Sequence, residues 1–418
     1  MFRYLVICLL FSLLLLTCSS PKTNRITIWA HFDPPEKILV QKQIDLFASE
    51  NPGWEFKLLT YSKQEIKNLY PISVIGKSGP SILYGFSSDI GQLAELNVLE
   101  PLETLFDSVF LSQFSSFPLN PLVKFKSLET GQIQLFQIAD QIVNQQFLLV
   151  NRDLVTLPSD PTGHLSFYTY QNSLTDKGKK NDNFPYDLVW DYTSPYFYYY
   201  FLSGSGGRIM DAYSEPQLNS QEGIQSLQVF RQFSQDGFRL PLESNLDQSR
   251  SWFRQRKAAM LIDGLFHVEE FKREGISIGI FSVSSLIKSD QTPKPLIYMK
   301  GFSVNPTIPA EKKKMSAKLI QFLCNKKNQL ERTHVSFNMP TLNEALKDSA
   351  IQNNAVFKLM IDQVLRGMEM PVTPESSLIL QELTSGYHNF LKDEKISSEN
   401  SANNMQESAL KLIKTIRK

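Results

Sequence analysis

The sequence predicts an α/β protein in two lobes, each a mixed sheet flanked by helices. Two observations point there, and a third marks a candidate binding stretch. The chain opens as strand, helix, strand, helix, strand, the order that builds a parallel sheet by crossover connections. Its 418 residues are too many for one hydrophobic core. Six aromatic residues in a row, Tyr196 to Phe201, are followed by a small, Gly-rich run to Gly207, and one amphipathic face cannot use so many adjacent rings.

Taken in order, Ile26 to Ala30 alternates as a first strand. A polar loop, His31 to Glu36, leads to a helix with Val40, Ile44 and Phe47 on one face, ended by Asn51-Pro52-Gly53. Trp54, Phe56 and Leu58 alternate in a second strand. Lys63 to Ile75 is helical, Gly79-Pro80 breaks it, and Ser81 to Tyr84 is a short buried strand. Such sheets bind ligands beyond the carboxyl ends of their strands. That places His31 to Asp33 and Gly85 to Ser88 at one crevice.

Gly131 to Ile138 and Gln146 to Asn151 read as extended, with Asp140 to Asn144 crossing between them. Thr156 to Lys180 is polar and rich in turns. A helix capped at Asn219 or Ser220 carries Ile224, Leu227 and Phe230 on one side and stops at Gly237. Ser251 to Lys257 is a charged helical piece. Ala258 to Ile262, Ile276 to Ile280 and Lys300 to Val304 are strands, with a crossing segment at Pro293 to Pro295. Met315, Leu319, Phe322 and Leu323 mark a helix. The remainder is mostly helical, with loops at Ser336 to Pro340 and Met370 to Pro374.

Composition excludes several classes. Lys+Arg 43 against Asp+Glu 42 leaves no basic field for nucleic acid. The His residues lack His-Glu-x-x-His spacing, and no Cys pair suits zinc. There is no Gly-x-Ser-x-Gly elbow and no phosphate-binding Lys loop. No cofactor is implied. Arg3, the apolar run Tyr4 to Leu16 and Cys18 form an export segment. The run is about 13 residues, short of the roughly 20 that a spanning helix needs. Cys324 alone remains in the body, inside an amphipathic pattern that suits a buried, inert thiol.

The ordered set of motifs resembles bacterial extracellular solute-binding proteins of the maltodextrin-binding type. Ile26-Thr27-Ile28-Trp29 resembles the first strand, and Gly79-Pro80-Ser81-Ile82 the Gly-x-Pro-Asp motif. Gly206-Gly207-Arg208-Ile209 resembles the Gly-Gly region. Lys257 to Gly264 is the most specific match, and Gly367 to Pro371 is similar to the C-terminal segment. The resemblance implies a periplasmic-binding-protein fold with a hinge, residues 26–139 plus 300–338 in one lobe and 140–299 plus 339–418 in the other. It implies a lipoprotein signal peptide over 1–17, lipid on Cys18 and a tether over 18–25. It implies a monomer on the outer face of a bacterial membrane that hands a small solute, a sugar or oligosaccharide, to an ABC permease.

The resemblance also implies site residues. Tyr196 and Phe197 match paired aromatics that contact sugar, and Phe266 falls at a stacking Trp. His31 and Asp33 lie in the first loop, Ser87 and Ser88 in the third, and Asp140 and Gln141 at the crossing, with Gln141 where a carboxylate is usual. The chain departs from the family at Gly85 and Leu380, where two stacking Trp residues stand, and at Pro34, Ser81 and Ser194. Maltose itself is therefore not the expected solute. Tyr198 to Phe201 are expected in the core, and Asp263 in a structural role. Two other readings stay open: a surface lipoprotein on this fold that binds a protein partner, and a carbohydrate-active enzyme using Asp140 and Asp263.

Overall fold

The computed structural model describes residues 24–114, 119–127, 131–143, 146–155, 184–235, 238–287 and 291–417. Cys18, Asn144, Gly237 and the Thr156 to Lys180 stretch lie outside the described residues. The strands are β1 Asn24–Ala30, β2 Trp54–Thr60, β3 Ile82–Phe86, β4 Leu122–Lys126, β5 Ile133–Val143, β6 Phe147–Asn151, β7 Tyr186–Val189, β8 Ala258–Asp263, β9 Ile278–Ser282, β10 Leu296–Val304, β11 Met339–Pro340 and β12 Met368–Glu369. The longer helices are α1 Pro34–Glu50, α2 Lys63–Ile75, α3 Tyr196–Gly204, α4 Gln221–Gln235, α5 Leu246–Arg254, α6 Ala310–Leu323, α7 Lys326–Ser336, α8 Ala355–Arg366, α9 Pro374–Lys392 and α10 Ser398–Ile416.

The strands form two sheets. The first has the order β11-β5-β10-β3-β1-β2, with β4 against β5 and β12 against β10. Within it β1, β2 and β3 run parallel, as their helical connections require, and β10 returns antiparallel to β3. The second has the order β7-β8-β6-β9. The chain passes from the first sheet to the second between Val143 and Phe147 and returns between Ser282 and Leu296. After β12 it leaves again for α9, whose Ile379, Leu383 and Tyr387 pack with the second sheet's core.

Local chemistry sets several boundaries. Ser62 caps α2, accepting from the Glu65 N–H while the Glu65 carboxylate takes the Ser62 N–H. Gly53 has φ +93°, a left-handed turn that lets the chain reverse from α1 into β2. Ser220 accepts from the Gly223 N–H at the start of α4, as expected for a cap. The first helix starts earlier than expected, because Pro34 and Pro35 suit the opening turn of a helix. β5 runs on through Asp140 to Val143, over the expected crossing, and β10 begins at Leu296, ahead of the strand expected from Lys300. Met339–Pro340 also pairs with β5, which puts the expected loop there in the first sheet. Asp140 to Val143, Leu296 to Met299, Met339–Pro340 and Met368–Glu369 therefore go with the first sheet, across the expected boundaries at 139, 300 and 338.

The aromatic run is a helix, α3, and it fills the second body's core. Phe197 to Leu202 are all buried, against Trp190, Phe230, Phe233 and Tyr387. Tyr198 stacks on Tyr387 at 5.1 Å and shares a 2.6 Å hydrogen bond with Ser226. Tyr198 to Phe201 thus stand where expected. Rings can surround a helix when a sheet, α4 and α9 close over different sides of it. Cys324 is buried, and burial pushes its thiol well above the usual range.

Candidate functional site

The carboxyl ends of β1, β2 and β3 bring His31, Tyr61, Lys63 and Phe86 to one edge of the first sheet. Tyr298 joins them from β10, which runs the opposite way and so begins there. The rings form a connected row. His31 and Phe86 lie 5.4 Å apart, Phe86 meets Tyr298 edge-on at 5.4 Å, and Tyr298 lies 5.8 Å from Tyr196. Tyr196 opens α3 and packs on the second body's core. The row therefore bridges the two bodies where the chain crosses between them. Trp29 and Tyr61, 4.7 Å apart, flank the same edge.

Electrostatics at this edge follow from partial burial. The His31 Nδ1 lies 3.1 Å from the Tyr61 carbonyl. Burial, helped by the nearby Lys300 charge, lowers its pKa and keeps the ring neutral at pH 7. Burial also pushes the half-buried Tyr196 phenol up to about 12. Lys63 sets its ammonium 4.5 Å from the Phe86 ring centre and 5.4 Å from that of Tyr298. Desolvation lowers its pKa, and Asp89 opposes that.

The expected site residues divide into two groups. At the edge, His31 and Tyr196 are half-buried, and Asp33 is exposed at the start of α1. Ser88 stands in the turn after β3, but it is buried and its hydroxyl oxygen is covered. Phe266 is 38% exposed, in the turn after β8 that lies against α7 of the first body, and the Arg250 guanidinium covers its ring at 4.9 Å.

The second group is interior. Phe197 is 1% exposed and is corrected from cleft surface to core, since its position on α3 turns it toward Trp190 and Phe201. Ser87 is fully buried and accepts the Met299 N–H at 3.0 Å, so its oxygen holds β10 in place. Asp140 is corrected likewise. It is fully buried, and its carboxylate is gripped by the equally buried Arg332. Gln141 accepts from the Tyr84 hydroxyl at 3.1 Å and donates to Ser336 Oγ at 3.3 Å. Both extend β5 rather than forming an open crossing, which is why they face the interior.

Two buried ion pairs sit beneath the edge. Arg332 also donates to Gln43 Oε1 at 3.0 Å and to the Leu323 carbonyl at 2.7 Å. Lys300 reaches Glu36 at 3.3 Å. Burial pushes the Asp140 carboxyl up, and the guanidinium opposes it. In the second body Asp263 takes a bidentate bond from Arg250, at 2.7 and 3.0 Å, and accepts its neighbour Gly264's N–H. That is the structural role expected of it. The two carboxylates from which a glycosidase pair would be built are thus each committed to a guanidinium.

The sequence placed Gly85 to Ser88 at the crevice without singling out the Phe86 ring, and it missed Tyr298 and Lys63. Phe86 was legible as the last residue of β3, beside Ser88. Tyr298 lay between the crossing expected at Pro293 to Pro295 and the strand expected from Lys300. Where the resemblance implies a stacking Trp, the three atoms nearest a would-be Cβ on Gly85 all belong to the Leu83 side chain, at 3.7 to 3.9 Å. Leu380, at the other such position, is buried in the second core.

Comparison with known proteins agrees with this architecture. The galactooligosaccharide-binding protein of Bacillus subtilis (strain 168) is 23% identical over 381 residues, covering 86% of this chain and 83% of its own. The maltotriose-binding protein of Pyrococcus abyssi (strain GE5 / Orsay) is 21% identical over 382 residues, covering 89% and 79%. Among solved structures, the maltose/maltodextrin-binding domain of Bdellovibrio bacteriovorus bound to maltotriose has a TM-score of 0.75 at 23% identity, over 93% of this chain and 100% of its own. The GacH receptor of Streptomyces glaucescens has a TM-score of 0.78 at 17% identity, over 93% and 98%. The two-lobed fold is shared with these structures. Among the described residues no helix is long and apolar enough to cross a membrane. The model of the bacterial extracellular solute-binding proteins matches residues 42–358, and the chain belongs to that family.

Proposed function

We propose that this chain is the lipid-anchored, substrate-binding component of an ABC importer and captures a sugar or oligosaccharide between its lobes by hinge closure. One observation carries the reading: rings from both bodies, Phe86 and Tyr298 on one and Tyr196 on the other, meet at the crossing. Flat rings with hydroxyl handles suit the apolar faces and hydroxyls of pyranoses. Ligand contacts from both lobes offset the cost of the closed state. The relatives that bind galactooligosaccharide and maltotriose support the solute class. His31, Asp33, Tyr196 and Phe266 are the contacts we retain from the sequence, joined by Phe86 and Tyr298. Lipid on Cys18 would hold the protein at the outer face of a bacterial membrane, beside its permease.

A thermal-shift screen over saccharides, amino acids, peptides and polyols tests this. A saccharide at about 100 times its Kd is expected to add roughly 2.7 kcal/mol and raise the midpoint. Failure of every small molecule to move the midpoint would contradict the reading and favour the lipoprotein with a protein partner. Release of a product from a saccharide would favour the enzyme.

A further inference from the structure

We propose that the aromatic edge selects a saccharide bearing an anionic group, which Lys63 binds, over a neutral one. The proposal rests on the saccharide reading above and narrows it.

Among the described residues, Lys300 has Glu36, Arg332 has Asp140, Arg250 has Asp263 and Arg239 has Asp187, while the half-buried Arg231 donates to the carbonyls of Phe390, Asp393 and Ile396. Lys63 differs. It is half-buried, its ammonium lies over Phe86 and Tyr298, and no carboxylate among the described residues comes within 4.0 Å of it. Asp89 and Lys67 act on it only from farther away, and burial raises the Asp89 carboxyl itself. A cation held in partly desolvated surroundings with no carboxylate in contact is costly, and an anion supplied from outside lowers that cost.

The acceptors at the edge point the same way. A neutral sugar's hydroxyl protons need acceptors, and an ionised carboxylate is a strong one. Here Asp140 is sealed against Arg332, and Gln141 stands where a carboxylate is usual and bonds within the protein. Asp33 is the exposed acid nearest the first loop. The acids that remain near the edge are Asp33 and the partly buried Asp89, and neither is in contact with the Lys63 ammonium. Geometry adds a further bias. The Lys63 ammonium lies over two rings on which a neutral pyranose would stack, so such a ligand must displace it. A carboxylate or phosphate on the sugar draws the ammonium into a charge-assisted bond and leaves the rings to the sugar face.

Calorimetric titration of the whole protein tests this with trigalacturonate beside galactotriose and glucose 6-phosphate beside glucose. The charged member of at least one pair is expected to bind roughly tenfold tighter or more. The pair that shows it tells a uronate from a phosphate. Lys63→Met is expected to abolish the preference and Lys63→Arg to keep it, with circular dichroism confirming that both fold. Equal or tighter binding of the neutral member in both pairs would overturn the proposal, as would a preference that survives in Lys63→Met. Binding of no saccharide by the unaltered protein would instead overturn the reading beneath it.

Discussion

Replacing Arg332 by methionine is expected to lower the unfolding free energy by about 3–5 kcal/mol. Arg332 and Asp140 are 1% and 0% exposed, and the guanidinium is Asp140's counter-charge. Removing it leaves a carboxylate in the interior of the first body, to be kept charged or protonated at a cost. Three elements lose their tie together, because the same side chain joins α7 to β5, to Gln43 on α1 and to the last turn of α6. Urea denaturation followed by circular dichroism measures the loss. The double variant Asp140→Leu/Arg332→Met removes both charges and is expected to recover most of it. A loss below about 1 kcal/mol in the single variant would contradict this account of the pair.

Phe197→Ala is expected to cost about 3–5 kcal/mol, the range for deleting a buried aromatic ring. Its ring lies 5.0 Å from Trp190 and 5.3 Å from Phe201, with Phe230 and Phe233 each 6.0 Å away. None of these neighbours can fill the space without moving α3 or α4, so a cavity remains. Denaturation of the second body reads the change. Near-wild-type stability together with lost solute binding would return Phe197 to the cleft.

Much of the fold was legible because its signals are local. The β1-to-β3 alternation with intervening helices, the Ser62 cap and the Gly53 turn each sit within a few residues of chain. The aromatic run was legible as an anomaly, and most of its rings were assigned to the core for the right reason. The family resemblance paired Tyr196 with Phe197, yet adjacent residues on a helix point about 100° apart, and the structure sends one toward the crossing and the other inward. Asp140 and Gln141 were misplaced because β5 continues past the point where its alternation fades. Both of its faces are covered there, so buried polar residues interrupt the pattern. Their partners, Arg332 and Tyr84, come from distant parts of the chain, and no local spacing reveals them. Tyr298 and Lys63 were missed for the same reason: each matters because another strand end lies beside it.

Titration of the tightest saccharide from the screen against Tyr196→Ala and Tyr298→Ala, one ring from each lobe, tests the central claim most directly. Each variant is expected to weaken binding on the order of tenfold or more while keeping the unaltered protein's circular dichroism spectrum. Affinity unchanged in both variants would mean that the solute is not held where the two lobes meet.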